Sequence, residues 1–214
     1  MTKSEHVSPF RLGILASHAG TNFQSILDRC LTGEIPAKVG VVVSNNSRSG
    51  ALERAQKCGI PISHLSSATH PVPEALDEAL TETLLRHHVD LIVLAGYMKK
   101  LGPVLLRKYK GRVINVHPSL LPAFGGQGMF GKRVHEAVLK SGCAVTGVTI
   151  HVVDGEYDHG PVIAQAVVPV LNGDTPEKLA QRVLEMEHRL YPNVVRLLAQ
   201  NRIAINDGCV IKSF

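Results

Sequence analysis

The 214-residue sequence predicts an α/β protein built on a doubly wound, mostly parallel sheet. Three observations predict it. Short apolar runs alternate with segments of helical periodicity through the first half, the order that builds a parallel sheet with helices on both faces. The runs at Val39–Val43 and Leu91–Ala95 are apolar throughout, as strands covered on both faces are. Polar, glycine-bearing loops follow these runs, at the strand ends where open α/β sheets bind ligands.

In chain order, Arg11–Ala16 reads as a first buried strand and Ser17–Asn22 as the turn after it. Phe23, Ile26, Leu27, Cys30 and Leu31 then recur at helical spacing, with Thr21 or Asn22 as the expected N-cap and Gly33 just past the end. A strand, a small polar loop and a helix N-terminus together offer backbone N–H groups to an anion, although an ordinary capped turn fits the residues as well. Lys38–Val43 is a second strand, Ala51–Lys57 a helix ending at Gly59, and Ile60–Leu65 a short third strand. The helix from about Glu74 to His88 carries Leu76, Leu80 and Leu84 on one face. His87-His88 at its end suits the negative pole of the helix dipole better than a metal. Asp90–Ala95 is a fourth strand, followed by the loop Gly96–Pro103.

Arg112–Val116 is a β-branched run ended by His117-Pro118, since proline removes a ladder donor. Period 2 puts Asn115 and His117 on one face at the strand's end. That pair is either a ligand-facing amide and imidazole or a satisfied strand-end histidine. The glycine-dense Ala123–Gly131 is either a mobile flap or a long disordered connection. Lys132–Lys140 is helical with Val134, Ala137 and Val138 inward, and Ala144–Val153 and Val162–Val170 are strands flanking Asp154–Pro161. Asp158 in that loop either faces the Asn115–His117 end or is a surface turn acid. Thr175 or Asp174 caps a long helix with Pro176 at its first position and a stripe of Leu179, Val183, Met186 and Leu190. Glu187 falls beside that stripe, where a solvated charge is the plain alternative. Tyr191-Pro192 should kink or restart the helix. Arg202–Asn206 and Cys209–Ile211 flank Asp207-Gly208, a hairpin signal. One domain is expected, with a mononucleotide-binding half over about 11–105 and a catalytic half over about 106–214.

Composition narrows the function classes. The first ten residues lack the apolar stretch of a secretory signal, and no apolar run approaches the ~20 residues of a membrane span. Cys30, Cys58, Cys143 and Cys209 are scattered without metal-ligand spacing, which reads as reduced thiols in the cytoplasm. Lys+Arg 23 against Asp+Glu 18 gives a net charge of +5, suited to an anionic small molecule. No run of five basic residues occurs and aromatics are 4%, which leaves few platforms for stacking bases, so no nucleic-acid partner is expected.

Asn115-x-His117-Pro118-Ser119-Leu120-Leu121-Pro122, followed by Asp154-Gly155-Glu156-Tyr157-Asp158-His159-Gly160-Pro161, resembles the signature of the 10-formyltetrahydrofolate-dependent formyltransferase family. Gly20-Thr21-Asn22 and Glu187-His188 narrow the resemblance to its purine-synthesis branch, and it runs from about Arg11 to about Arg202. It implies a formyltransferase-like fold and transfer of a formyl group from 10-formyltetrahydrofolate to the amine of glycinamide ribonucleotide. It further implies Asn115, His117 and Asp158 as catalytic residues, Gly20, Thr21, Asn22 and Glu187 as binding glycinamide ribonucleotide, and Met98, Lys99, Lys100, Leu101 and Asn115 as binding the folate. No metal or tightly bound cofactor is implied, and the chain is expected as a monomer or homodimer.

Family members with a hydrolase or transfer-RNA activity would carry an extra N- or C-terminal domain, which this sequence does not display. A folate- or nucleotide-binding module without catalysis would not need the Asn115, His117 and Asp158 set. A nicotinamide oxidoreductase would need a glycine fingerprint that is not present in the expected form. One departure stands out: family members hold the folate's glutamate tail with an arginine in the loop corresponding to Ser66–Pro73, and none occurs there.

Overall fold

The structure, a computed structural model, describes residues 9–206 and 209–212. The first half runs β1 (Phe10–Leu15), α1 (Thr21–Leu31), β2 (Ala37–Ser44), α2 (Gly50–Lys57), β3 (Ile62–His64), α3 (Pro73–Arg86) and β4 (Leu91–Leu94). Then follow α4 (Pro103–Lys108), β5 (Val113–His117), α5 (Lys132–Ser141), β6 (Val145–Val152), β7 (Val162–Pro169) and α6 (Pro176–Ala199). The last two strands are β8 (Ile203–Asn206) and β9 (Cys209–Lys212).

Seven strands form one sheet in the order β3-β2-β1-β4-β5-β6-β7. The pairs from β3 to β5 are parallel, and β6 and β7 run antiparallel to their neighbours. The expected doubly wound, mostly parallel sheet is therefore present. Strand order reverses between β1 and β4, and the crevice outside their carboxyl ends is where such sheets bind ligands. β8 and β9 pair antiparallel as a separate hairpin; the turn residues Asp207 and Gly208 lie outside the described residues.

Alternation divides each central strand between two cores. Leu12, Ile14, Leu91 and Val93 pack with Phe23, Ile26 and Leu27 of α1 and with Leu179, Val183 and Tyr191 of α6. Leu15, Ile92 and Leu94 face the opposite way, toward Leu80 and Leu84 of α3 and Leu105 of α4. Each such fully buried side chain contributes about 1.5–3 kcal/mol, so both faces hold the sheet and its loops firmly.

Four local expectations change. The short helix α4 has only six residues, too few for periodicity to display, and its start is fixed from outside: the buried Asp77 of α3 accepts from the N–H groups of Val104 and Leu105 at 2.7 and 3.1 Å. The N-cap of α1 is Gly20, in the left-handed conformation with no side-chain cap, and Thr21 is already helical. At His87, at the end of α3, burial, then Arg86, Arg11 and His88, push the pKa down, against the direction the dipole favours. Finally, α6 runs unbroken through Pro192. Proline lacks the N–H that would meet the carbonyl four residues back, at His188. Arg29 Nη2 of α1 donates to that carbonyl at 3.4 Å instead.

Among the described residues no helix is long and apolar enough to cross a membrane.

Candidate active site

The carboxyl ends of β1, β4 and β5 lie along one rim of the sheet, and Asp158 from the loop after β6 reaches the side chains of His117 and His151. At β5, antiparallel register sets Asn115 opposite His151 and His117 opposite Thr149. Pairing thus brings together residues 36 apart in sequence, and Asn115 Nδ2 donates to His151 Nε2 at 3.2 Å. His151 Nδ1–H donates to the Val152 carbonyl at 2.9 Å, which fixes the neutral tautomer with Nε2 as acceptor. Burial pushes the His151 pKa down, against the opposing pull of that backbone bond and of Asp158. His151 is therefore a neutral brace that turns the Asn115 amide.

His117 is 3% exposed, yet both ring nitrogens face oxygen. Nε2 lies 2.9 Å from the Phe124 carbonyl and Nδ1 3.4 Å from Asp158 Oδ2. Asp158 is no surface turn acid: its side chain is 12% exposed, Oδ1 lies 3.7 Å from His151 Nε2, and Oδ2 accepts from Gly126 N–H at 3.0 Å. Asp158 and Phe124 both have φ near +55°, a conformation that costs a bulky residue such as Phe about 1 kcal/mol or more. The strain falls on the two residues that touch His117. Asp154, at the start of the same loop, turns away to His159 Nδ1 at 3.0 Å.

The glycine-dense stretch 123–131 is anchored at its start rather than left as a free connection. Besides the Phe124 and Gly126 contacts, Ser119 Oγ donates to the Ala123 carbonyl at 2.6 Å. Thr149 reinforces the turn by donating to the Ser119 carbonyl and accepting from Leu121 N–H.

On the other side, Gly20 at φ +73° opens α1 directly against α2; a Cβ there would sit 2.8 Å from Ala51 Cα. Close backbone approach and a left-handed turn both require glycine at this place. Arg54 Nε of α2 donates to the Ala19 carbonyl at 2.9 Å, fixing the loop from outside. Asn22 in the first turn of α1 donates through Nδ2 to Glu187 Oε2 at 2.6 Å, while its Oδ1 is buried without a hydrogen bond. Glu187 is not beside the α6 stripe but in it, at the spacing Leu179-Val183-Glu187-Tyr191, and is 8% exposed. Burial raises its pKa to about 7, against the Asn22 hydrogen bond. Four-residue spacing from Leu179 was the signal available in the sequence, but Met186 and Leu190, one position short, gave an equally apolar stripe.

The β4 loop lies between these groups. Met98, Lys99 and Lys100 are exposed, whereas Leu101 turns into the core with Leu105 and Tyr109. Lys100 Nζ sits 5.6 Å from the Tyr157 ring centroid, a contact that ties this loop to the Asp158 loop. His151, Ser17 and the Phe124 carbonyl were not singled out in the sequence; only strand pairing reveals His151, since its neighbours read as an ordinary buried strand. Among the described residues no group of three His, Cys, Asp or Glu is arranged to hold a metal ion.

A family model described as "Formyl transferase" matches residues 10–195. A phosphoribosylglycinamide formyltransferase from Escherichia coli (strain K12) is 37% identical over 195 residues, 91% of this chain and 90% of that protein. A chloroplastic phosphoribosylglycinamide formyltransferase from Vigna unguiculata is 44% identical over 194 residues, 90% of this chain, which spans 62% of the plant protein's length. The crystal structure of glycinamide ribonucleotide transformylase 1 from Symbiobacterium toebii superposes with a TM-score of 0.90 at 43% identity, covering 96% of this chain and 95% of that one.

Proposed function

The chain belongs to the formyl transferase family, and from that premise we propose that it transfers the formyl group of 10-formyltetrahydrofolate to the amine of glycinamide ribonucleotide in purine synthesis. The observation that carries this is the cluster of Asn115, His117 and Asp158, with neutral His151 behind Asn115, at the rim beside the switch point.

The amine nitrogen attacks the formyl carbon on N10, forming a C–N bond as the carbonyl electron pair moves to oxygen. Asn115, its amide held by His151, and His117 donate to that oxygen, and a preorganised donor of this kind is worth about 3–4 kcal/mol. As the intermediate collapses, the bond to N10 breaks, and the proton lost by the amine passes through His117 to the leaving nitrogen. Asp158 holds the ring at Nδ1 and so orients Nε2. Engagement of His117 Nε2 requires it to exchange the Phe124 carbonyl for substrate.

Gly20, Thr21 and Asn22 hold the substrate phosphate on the N-terminus of α1, and Glu187 meets a ribose hydroxyl or the glycinamide. Met98, Lys99, Lys100 and Leu101 line the pterin through their backbone, with Asn115 at its reactive edge. The two halves, about 11–105 and 106–214, act as one unit joined where β4 pairs with β5. We place the reaction in the cytoplasm, in line with four free cysteines, and carried out by a monomer or homodimer.

Mass spectrometry of a reaction containing purified protein, 10-formyltetrahydrofolate and glycinamide ribonucleotide tests the proposal. Formylated ribonucleotide should appear in equal amount with tetrahydrofolate, and no formate should be released when the ribonucleotide is omitted. Formate release without acceptor would make the chain a hydrolase.

A further inference from the structure

Ser17 stands at the switch point and uses every polar group it has. Its Oγ donates to Asn45 Oδ1 at 2.5 Å and accepts from Met98 N–H at 2.9 Å. Its own N–H donates to the Gly96 carbonyl at 3.1 Å, and its carbonyl accepts from Asn46 Nδ2 at 3.3 Å. The side chain is 2% exposed. One residue thus fastens together the loops that follow β1, β2 and β4, at the point where those strands stop pairing.

The loop after β1 leads within three residues to Gly20 and the start of α1, and the loop after β4 carries Met98 to Leu101. Ser17 is too buried to be a ligand contact, and the Met98 N–H it occupies is not free for one. We propose that Ser17 is a positioning residue that couples the two ends of the cleft, so that filling the phosphate end orders the β4 loop for the folate. This rests on the proposed function above. Coupling through a shared element is reciprocal, so each substrate raises affinity for the other by the same factor. The device is short: Met98 N–H is bonded directly to the hydroxyl of Ser17, the residue that starts the phosphate loop.

Tetrahydrofolate serves as an unreactive probe, because without a formyl group it forms a ternary complex with glycinamide ribonucleotide and stops. Calorimetric titration of the native chain with tetrahydrofolate should give an affinity about fivefold or more higher when glycinamide ribonucleotide is saturating. In Ser17→Ala the enhancement should fall to near unity while glycinamide ribonucleotide alone still binds. A second measurement uses the native chain and does not depend on the stability of the variant: amide exchange at Met98 should slow when glycinamide ribonucleotide alone is bound. A fivefold enhancement preserved in folded Ser17→Ala, or unchanged Met98 exchange, overturns the coupling and leaves the proposed function standing. Failure of the native chain to bind glycinamide ribonucleotide overturns both.

Discussion

The side-chain amide of Asn22 lies 2.6 Å from Glu187 Oε2, joining the first turn of α1 to the middle of α6 across 165 residues. The carboxyl group is buried, on the α6 stripe between Val183 and Tyr191, and burial lifts its pKa from 4.5 to about 7.

That shift makes stability depend on pH with a definite sign. The folded chain binds this proton more tightly than the unfolded one, so the contribution is fully present below pH 4.5 and is lost as pH rises through about 7. The loss amounts to about 3 kcal/mol. Glu187→Gln should abolish this part of the decline, so that urea denaturation of variant and native chain at pH 5 and pH 8 gives a stability gap that widens toward pH 8. A gap independent of pH would mean that the carboxyl is already ionised in the fold.

His151 touches Asn115 and lies beside Asp158 behind the cleft, so its removal should loosen the amide rather than the ligands. His151→Ala should lower kcat by about ten- to a hundredfold, the scale of a misplacement near 1 Å, with KM for both substrates changed only a few fold. Steady-state kinetics on the folded variant decide this; a KM effect larger than the kcat effect would contradict it.

Gly20→Val places a Cβ 2.8 Å from the α2 backbone in a left-handed conformation. Binding of glycinamide ribonucleotide alone should weaken tenfold or more, and binding of tetrahydrofolate alone should stay nearly unchanged. Equal loss of both in separate titrations would point to misfolding of the first half.

The sheet was legible because its strands are continuous apolar runs punctuated by glycine and polar turns, and helix boundaries followed within a few residues. Asn115 and His117 were legible because period 2 puts them on one face of a strand that proline ends. His151 was not, because its partner is 36 residues away and only antiparallel pairing sets the two opposite each other. Glu187 was misplaced relative to its helix stripe because two overlapping apolar spacings compete in α6, and only the packing against α1 and the sheet selects between them. Ser17 and Asp77 were hidden for a similar reason: each serves a loop or helix start from a distant element, and local pattern carries no trace of that.

Transfer should be direct, through a ternary complex. Ser119 is fully buried with its hydroxyl on the Ala123 carbonyl, and Cys143, half-buried ahead of β6, has the Ser141 hydroxyl on its sulfur. Among the described residues neither has a base to activate it. Initial-rate plots at several fixed concentrations of the second substrate should intersect; parallel lines, or a formylated peptide trapped with the folate alone, would require a covalent intermediate.

The most direct measurement is the turnover of His117→Ala with both substrates saturating. His117 acts on charge that exists only in the transition state, so its loss should lower kcat by about a hundred- to a thousandfold while KM for each substrate stays within a few fold. Near-normal turnover in a variant with a native melting curve would contradict the account and remove His117 from the chemistry.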